Sequence, residues 1–292
     1  MLPASLETPL ARRLGIRYPI LAAPMFLISN VDMVVAVGEA GAIGAFPSLN
    51  YRTTEELREA LREIRRRTDA PFGVNLIIKA PRLEDDLAAC VEARVPLLIS
   101  SLGDPSRVLE AARRTGAMVM CDVINLKHAR KAEDAGADAV IAVGAGAGGH
   151  AGKISVPVLV PWLKHELRIP VVAAGGIATG AGVAAAMALG AELAYVGTRF
   201  IASVESPADL EHKQMIVRSS PEDVEFTAEV TGTPGTFLRE SLDVFRAQTG
   251  GRAWKGVYSA GQNVGLIRDI KTCGEIVREL VEDYVAARDA MP

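Results

Sequence analysis

Cysteine is scarce in this chain of 292 residues, and what there is sits far apart. Cys90, Cys121 and Cys273 are odd in number and fall into no metal-ligand spacing, which excludes a disulfide framework and a cysteine-based metal site and predicts a reduced intracellular protein. No uninterrupted apolar run reaches membrane-spanning length, and the first residues carry prolines and charges where a signal peptide needs an apolar stretch. A soluble cytoplasmic protein is the expectation, with no membrane partner. Charge of one sign is lacking too. The net charge of −3 offers nucleic acid no electrostatic footprint. There are only four histidines, and no Gly-x-Gly-x-x-Gly turn follows the first apolar run, which weighs against a doubly wound dinucleotide fold.

What is present is an alternation. Short apolar runs at Ile20–Met25, Ala42–Phe46, Phe72–Ile78, Pro96–Ser100, Ala117–Asp122, Asp138–Val143, Pro170–Ala174 and Leu193–Gly197 read as strands buried on both faces. Helical patterns lie between them: Val31–Ala40 with Ser29 or Asn30 as cap, a helix capped by Thr53 or Thr54, then Leu83–Ala93, Asp104–Arg114, Leu126–Ala135, Val156–Leu167 and Thr179–Leu189. A short helix at Pro9–Leu14 leads in. Gly-Ala pairs such as Gly41-Ala42 and Gly136-Ala137 join helix to strand. Eight such units predict an α/β protein, a closed (β/α)8 TIM barrel. Residues 1–203 would form the barrel core. Residues 204–292 would complete and cap the same domain as a C-terminal extension near the barrel mouth: a helix, a variable segment over Pro221–Gly251, and a last helix at Cys273–Arg288.

In such a barrel the chemistry sits where strands end. The loop after the sixth strand, Gly144-Ala-Gly-Ala-Gly-Gly-His-Ala-Gly152, is nearly bare of side chains except for His150. Two readings stand: an active-site edge where backbone approaches a ligand, or a tight turn with a solvated histidine. Ala174, Gly175 and Gly176 after the seventh strand, with Gly197 and Thr198 after the eighth, form a pair of loops suited to one phosphate. Asp122 ends the fifth strand and either faces the mouth or caps the next helix. His128, His165 and His212 read as structural or solvated.

Five motifs, Ala22-Ala-Pro-Met25, Phe72-Gly-Val-Asn-Leu76, Gly146-Ala-Gly-Gly-His-Ala-Gly152, Ala173-Ala-Gly-Gly-Ile177 and Val196-Gly-Thr-Arg-Phe200, resemble in order and spacing the nitronate monooxygenases, formerly called 2-nitropropane dioxygenases. The resemblance covers residues 19 to about 205, resumes at Trp254 and Ser259–Gly265, and is poor over about 218–252. It implies FMN, with its phosphate at Gly175, Gly176, Gly197 and Thr198 and its ring near Ala23, Pro24, Met25, Asn75 and Gly148, Ala174 and Asp122 being close by. It implies no metal, and His150 as the catalytic residue. The implied reaction is oxidation of a nitronate or nitroalkane by O2 to a carbonyl compound and nitrite. Histidine is suited to the one base such a reaction needs. The superfamily also holds FMN-dependent enoyl-thioester (enoyl-acyl-carrier-protein) reductases using NAD(P)H, and a non-catalytic flavin-binding barrel is a third reading. Two departures stand out: Ala145 and Gly146 leave the histidine loop without the carboxylate that many relatives carry there, and Asp122 stands where well-studied relatives have a basic residue. Whether the chain is a monomer or a homo-oligomer the sequence leaves open.

Overall fold

Side-chain parity along the strands decides what faces the middle of this molecule. The computed structural model describes residues 2–230, 232–247 and 256–290. Eight parallel strands close into a barrel: β1 (Ile20–Ala22), β2 (Ile43–Pro47), β3 (Phe72–Ile77), β4 (Leu97–Ser101), β5 (Met118–Val123), β6 (Ala139–Val143), β8 (Val171–Ala174) and β9 (Leu193–Val196). Between β6 and β8 lies β7 (Gly149–His150), a two-residue strand outside the barrel. The closing pair is β1 with β9, in register at Ile20 and Ala194.

Because successive strand residues point to opposite faces, one parity fills the barrel. Leu21, Ile43, Ala45, Leu97, Ile99, Met118, Met120, Ile141, Val172 and Leu193 form a single buried cluster. The other parity, including Phe46, Phe72, Val74, Leu98, Val119, Val140 and Val196, packs against the surrounding helices. Those helices are α2 (Val31–Glu39), α3 (Thr54–Arg67), α4 (Leu83–Glu92), α5 (Ser106–Thr115), α6 (Leu126–Ala135), α7 (Val156–Glu166) and α8 (Gly180–Ala188), preceded by α1 (Pro9–Leu14). Side-chain caps start several of them: Asn30 accepts from Met33 N, Thr53 from Glu56 N, Asn125 from His128 N and Thr179 from Gly182 N. α1 puts Leu10 and Leu14 into the barrel-interior cluster. Thr8 Oγ1 donates to the carbonyl of Glu192, which precedes β9. This helix therefore plugs the N-terminal end and leaves the C-terminal end for the site.

The first strand stops at Ala22, short of the expected Met25. Pro24 has no N–H for a ladder, and the Met25 N–H turns back to the Ser29 hydroxyl (2.9 Å). The tail departs further from expectation. After α9 (Thr198–Ile201) and α10 (Leu210–Arg218), the segment read as variable contains a hairpin, β10 (Val224–Thr227) with β11 (Gly235–Leu238), and then α11 (Arg239–Ala247). Val224-Glu-Phe-Thr227 and Gly235-Thr-Phe-Leu238 lack the continuous apolar run that marks the barrel strands. Residues 248–255, Trp254 among them, lie outside the described residues. The final helix, α12 (Cys273–Asp289), starts at a Thr272–Glu275 capping box and packs on α8 and α2. All three cysteines are free and buried. No helix among the described residues is long and apolar enough to cross a membrane.

Candidate functional site

The inward-facing columns that are apolar deep in the barrel turn polar at its C-terminal end. Leu97-x-Ile99-x-Ser101, Met118-x-Met120-x-Asp122 and Leu193-x-Tyr195 each run from the interior cluster to the mouth, and Asn75 does the same on β3. These groups join into a chain: Asn75 Nδ2 donates to the Ser101 hydroxyl (2.6 Å), which donates in turn to Asp122 Oδ2. Asp122 Oδ1 is buried and has no hydrogen-bond partner among the described residues. Asp122 does not cap the next helix, since Asn125 does so. Burial pushes the Asp122 carboxyl up to about 6, against the Ser101 hydrogen bond that lowers it. Tyr195 is pushed well above the ordinary phenol range, by burial first and by the Asp122 charge second.

Beside this polar floor lies a glycine cradle. Gly175 (φ 119°) and Gly176 (φ 72°) follow β8 in the left-handed region that a side chain would strain. No atom lies within 4 Å of the place a Gly176 Cβ would take, so the backbone there faces open space. Across from it the Thr198 hydroxyl accepts from the Gly261 N–H (2.9 Å), which leaves its own proton to give. Asn263 Nδ2 donates to the Ile177 carbonyl (2.8 Å) and ties the tail to the same loop.

His150 stands at the lip on β7, which pairs antiparallel with β11 through Gly235 opposite His150 and Thr236 opposite Gly149. The Thr236 hydroxyl donates to the carbonyls of Ala147 and Gly149, Gln262 N donates to the Gly146 carbonyl (3.0 Å), and Ser259 Oγ donates to the Thr236 carbonyl (3.0 Å). The histidine loop is thus a strand of a small sheet rather than a free turn. Gly148 has to be bare: a Cβ there would come within 2.9 Å of Gly261 N. The His150 ring is partly exposed, and loss of solvent around it holds its pKa below the ordinary imidazole value.

The residues that sequence reasoning placed at the cofactor and catalytic site line one cavity of about 1700 Å³: Ala23, Pro24, Met25, Asn75, Asp122, Gly148, His150, Ala174, Gly175, Gly176, Gly197 and Thr198. Sites for one small ligand usually enclose ~300–1,000 Å³, so there is room for a cofactor and more. The orphaned Asp122 oxygen, the open cradle and the Thr198 hydroxyl are the features a phosphorylated, hydrogen-bonding cofactor such as FMN would use. Among the described residues no group of histidine, cysteine and carboxylate side chains is placed to hold a metal. His128 and His165 are exposed on α6 and α7. His212 is buried in the cavity wall, stacked on Tyr258 with ring centroids 4.2 Å apart, and burial pushes its pKa down to about 4. Sequence reasoning missed Tyr195 and Thr236. Parity with Leu193 was the available signal for Tyr195; Thr236 offered none.

Comparison with known proteins decides the family. The family model for nitronate monooxygenase matches residues 7–242. The chain belongs to the nitronate monooxygenase family. Relatives of this nitronate monooxygenase family member are oxidoreductases, and so is this chain. It is 32% identical over 266 residues to the (3aS,4S,5R,7aS)-5-hydroxy-7a-methyl-1-oxo-octahydro-1H-indene-4-carboxyl-CoA dehydrogenase of Mycobacterium tuberculosis, covering 90% of this chain and 74% of that one. Among solved structures, FabK from Thermotoga maritima superposes with a TM-score of 0.89 at 36% identity and covers 98% of both chains. Nitroalkane oxidase from Streptomyces ansochromogenes superposes at 0.85 with 27% identity, over 97% of this chain and all of the other.

Proposed function

We propose that this oxidoreductase binds FMN at the cavity and oxidises nitronates, and neutral nitroalkanes, with O2 to a carbonyl compound and nitrite. The observation that supports this most is a convergence: the open glycine cradle, the Asn75–Ser101–Asp122 floor and His150 all meet on one cavity. Gly175, Gly176, Gly197 and Thr198 would hold the terminal phosphate, and Pro24, Met25 and Asn75 would border the ring. FMN, when bound, supplies the electron transfer that carries substrate oxidation through to O2.

The chain's own part is proton handling and placement. A nitroalkane must lose its α-proton to become a nitronate, and a neutral imidazole is the base that can take it. Partial desolvation lowers the His150 pKa and so biases the ring toward its neutral form. The hydrogen bonds from Thr236 and Gln262 fix the backbone that carries the ring, so the base is positioned before substrate arrives. A preformed nitronate needs no such step.

The purified protein is expected to take up FMN in preference to FAD, because the cradle suits one terminal phosphate. Anaerobic addition of a small nitronate should then bleach the bound flavin. A colourless protein that takes up no FMN on reconstitution would overturn the reading at its base. The cavity volume, together with the carboxyl-CoA substrate in the name of the Mycobacterium tuberculosis relative, favours a second reading: a flavin-dependent oxidoreductase of acyl thioesters. In stopped-flow measurements, bleaching by NADH but not by nitronates would select that one. A bound flavin that responds to neither would mean a binding protein without turnover.

A further inference from the structure

One polar group on the cavity floor stands without a partner. Tyr195 lies on β9 two residues after Leu193, and so points inward with the parity that puts Leu193 in the barrel interior. It is in register with Ala174 on β8 and with Leu21 on β1. Gly175 follows Ala174 directly, and Gly197 follows Tyr195 by two residues, so the phenol starts just below the cradle that these glycines form. The enclosed side-chain atoms that lack a partner belong to Asp86, Asp122, Ser203 and His212. The Tyr195 hydroxyl also has no hydrogen bond among the described residues, but it is not enclosed: the residue keeps part of its surface uncovered and lines the cavity.

The ring of Tyr195 packs against the barrel-interior cluster, a contact that phenylalanine would make equally well. The hydroxyl therefore adds nothing to the fold, and a phenol removed from bulk water ordinarily finds a partner. A ligand in the cavity can supply one. Burial holds the phenol well above its ordinary range, so the oxygen keeps its proton and offers both a donor and an acceptor. The Asp122 charge acts on the same phenol. A phosphate set against it would be repelled by that carboxylate, whereas a neutral hydroxyl would not. In FMN the segment next to the phosphate is a chain of hydroxyl-bearing carbons.

We propose that the Tyr195 hydroxyl binds one hydroxyl of the polyol chain that joins the phosphate of FMN to its ring, which makes Tyr195 a cofactor-recognition residue separate from the phosphate cradle. This rests on the reading of the cavity as an FMN site. Its register beside Ala174 places the phenol next to the cradle, its parity aims it toward the barrel axis, and its unused hydroxyl matches the polyol in chemistry.

The test reads flavin affinity rather than turnover. The full chain, freed of flavin, is titrated by fluorescence quenching with FMN, with riboflavin, and with the 2′-deoxy, 3′-deoxy and 4′-deoxy forms of FMN. Tyr195→Phe keeps the ring packing, so the variant should fold and, without flavin, melt no lower than the parent. It is expected to bind FMN about threefold to tenfold more weakly, the usual worth of one hydrogen bond between neutral groups, and riboflavin more weakly by the same factor. One of the deoxy forms should show that loss against the unaltered protein and no further loss against Tyr195→Phe, because both changes remove the same bond. Unchanged FMN affinity in Tyr195→Phe would overturn the proposal, as would losses that simply add for every deoxy form. A loss for FMN that riboflavin does not share would assign the phenol to the phosphate and overturn it as well. If the unaltered protein binds none of these flavins, the FMN reading fails and takes the proposal with it; tight FMN binding without coupling to any deoxy form defeats the proposal alone.

Discussion

Replacement of His150 by alanine is expected to slow turnover of a neutral nitroalkane by about 10²–10⁴, the usual loss when a general base is removed. The preformed nitronate of the same compound should lose less than about tenfold. The difference between the two substrates carries the argument, because only the neutral one has an α-proton for His150 to take. The pH profile provides an independent check. His150 must be unprotonated to act, and desolvation holds its pKa below the ordinary imidazole value. The acid limb of kcat/KM for the nitroalkane should therefore fall below that range, and the nitronate should lack this limb. Equal losses on both substrates in His150→Ala would mean that the ring only positions substrate, and the base would have to be sought elsewhere on the cavity wall.

Asp122→Asn is expected to act through charge, in a pH window that the carboxyl itself sets. Burial raises its folded pKa to about 6 from an ordinary 3.8. Between those values the folded state binds more proton than the unfolded state, so stability declines as pH rises through the window. The cost is absent below the lower value and complete above the upper one, on the order of 2–3 kcal/mol. Asparagine keeps the shape and the Ser101 contact without the charge. The flavin-free variant should melt higher than the parent at pH 8 and equally at pH 3.5. If FMN lies over this floor, the ionised carboxylate opposes its reduction by about 1–3 kcal/mol at an effective dielectric of ~20. That is tens of millivolts for a two-electron couple. Titration against a reference dye should find the Asp122→Asn midpoint raised at pH 8 and unchanged at pH 5. A stability gain without any shift in midpoint would show that the carboxyl is buried but remote from the ring.

Much of this site could be read from strand ends alone. The barrel follows from eight apolar runs and from the glycines that follow α2, α5, α6 and α8, and the cavity residues follow from asking what comes last on each strand. Asp122 shows where that method stops. Its place on β5 was legible, but whether it faced the mouth or a helix depended on parity with Met118 and Met120, and on Asn125 taking the capping role. Tyr195 could have been found by the same count. Thr236 could not, since nothing in Gly235-Thr-Phe-Leu238 says that this strand will pair with β7 rather than lie on the surface. Leu27 and Leu102, which line the cavity at left-handed φ of 60° and 62°, were invisible for a different reason. A leucine carries no sign of a left-handed φ, and the Asn50 frame that imposes it on Leu27 arrives from 23 residues further along the chain. Long-range hydrogen bonds between loops write no local pattern.

The pairing of β7 with β11 also has a consequence for synthesis. Every barrel strand, and the glycine cradle with it, is encoded before residue 199, whereas Thr236, Ser259 and Gln262, which hold the His150 strand, emerge from the ribosome later. The strands of the site are therefore made before the segment that fastens its loops. The tail reaches the cradle as well, through Gly261 N–H on the Thr198 hydroxyl and Asn263 on the Ile177 carbonyl, so a chain lacking residues beyond β9 would have all of its barrel strands but neither a fixed His150 strand nor a fastened cradle.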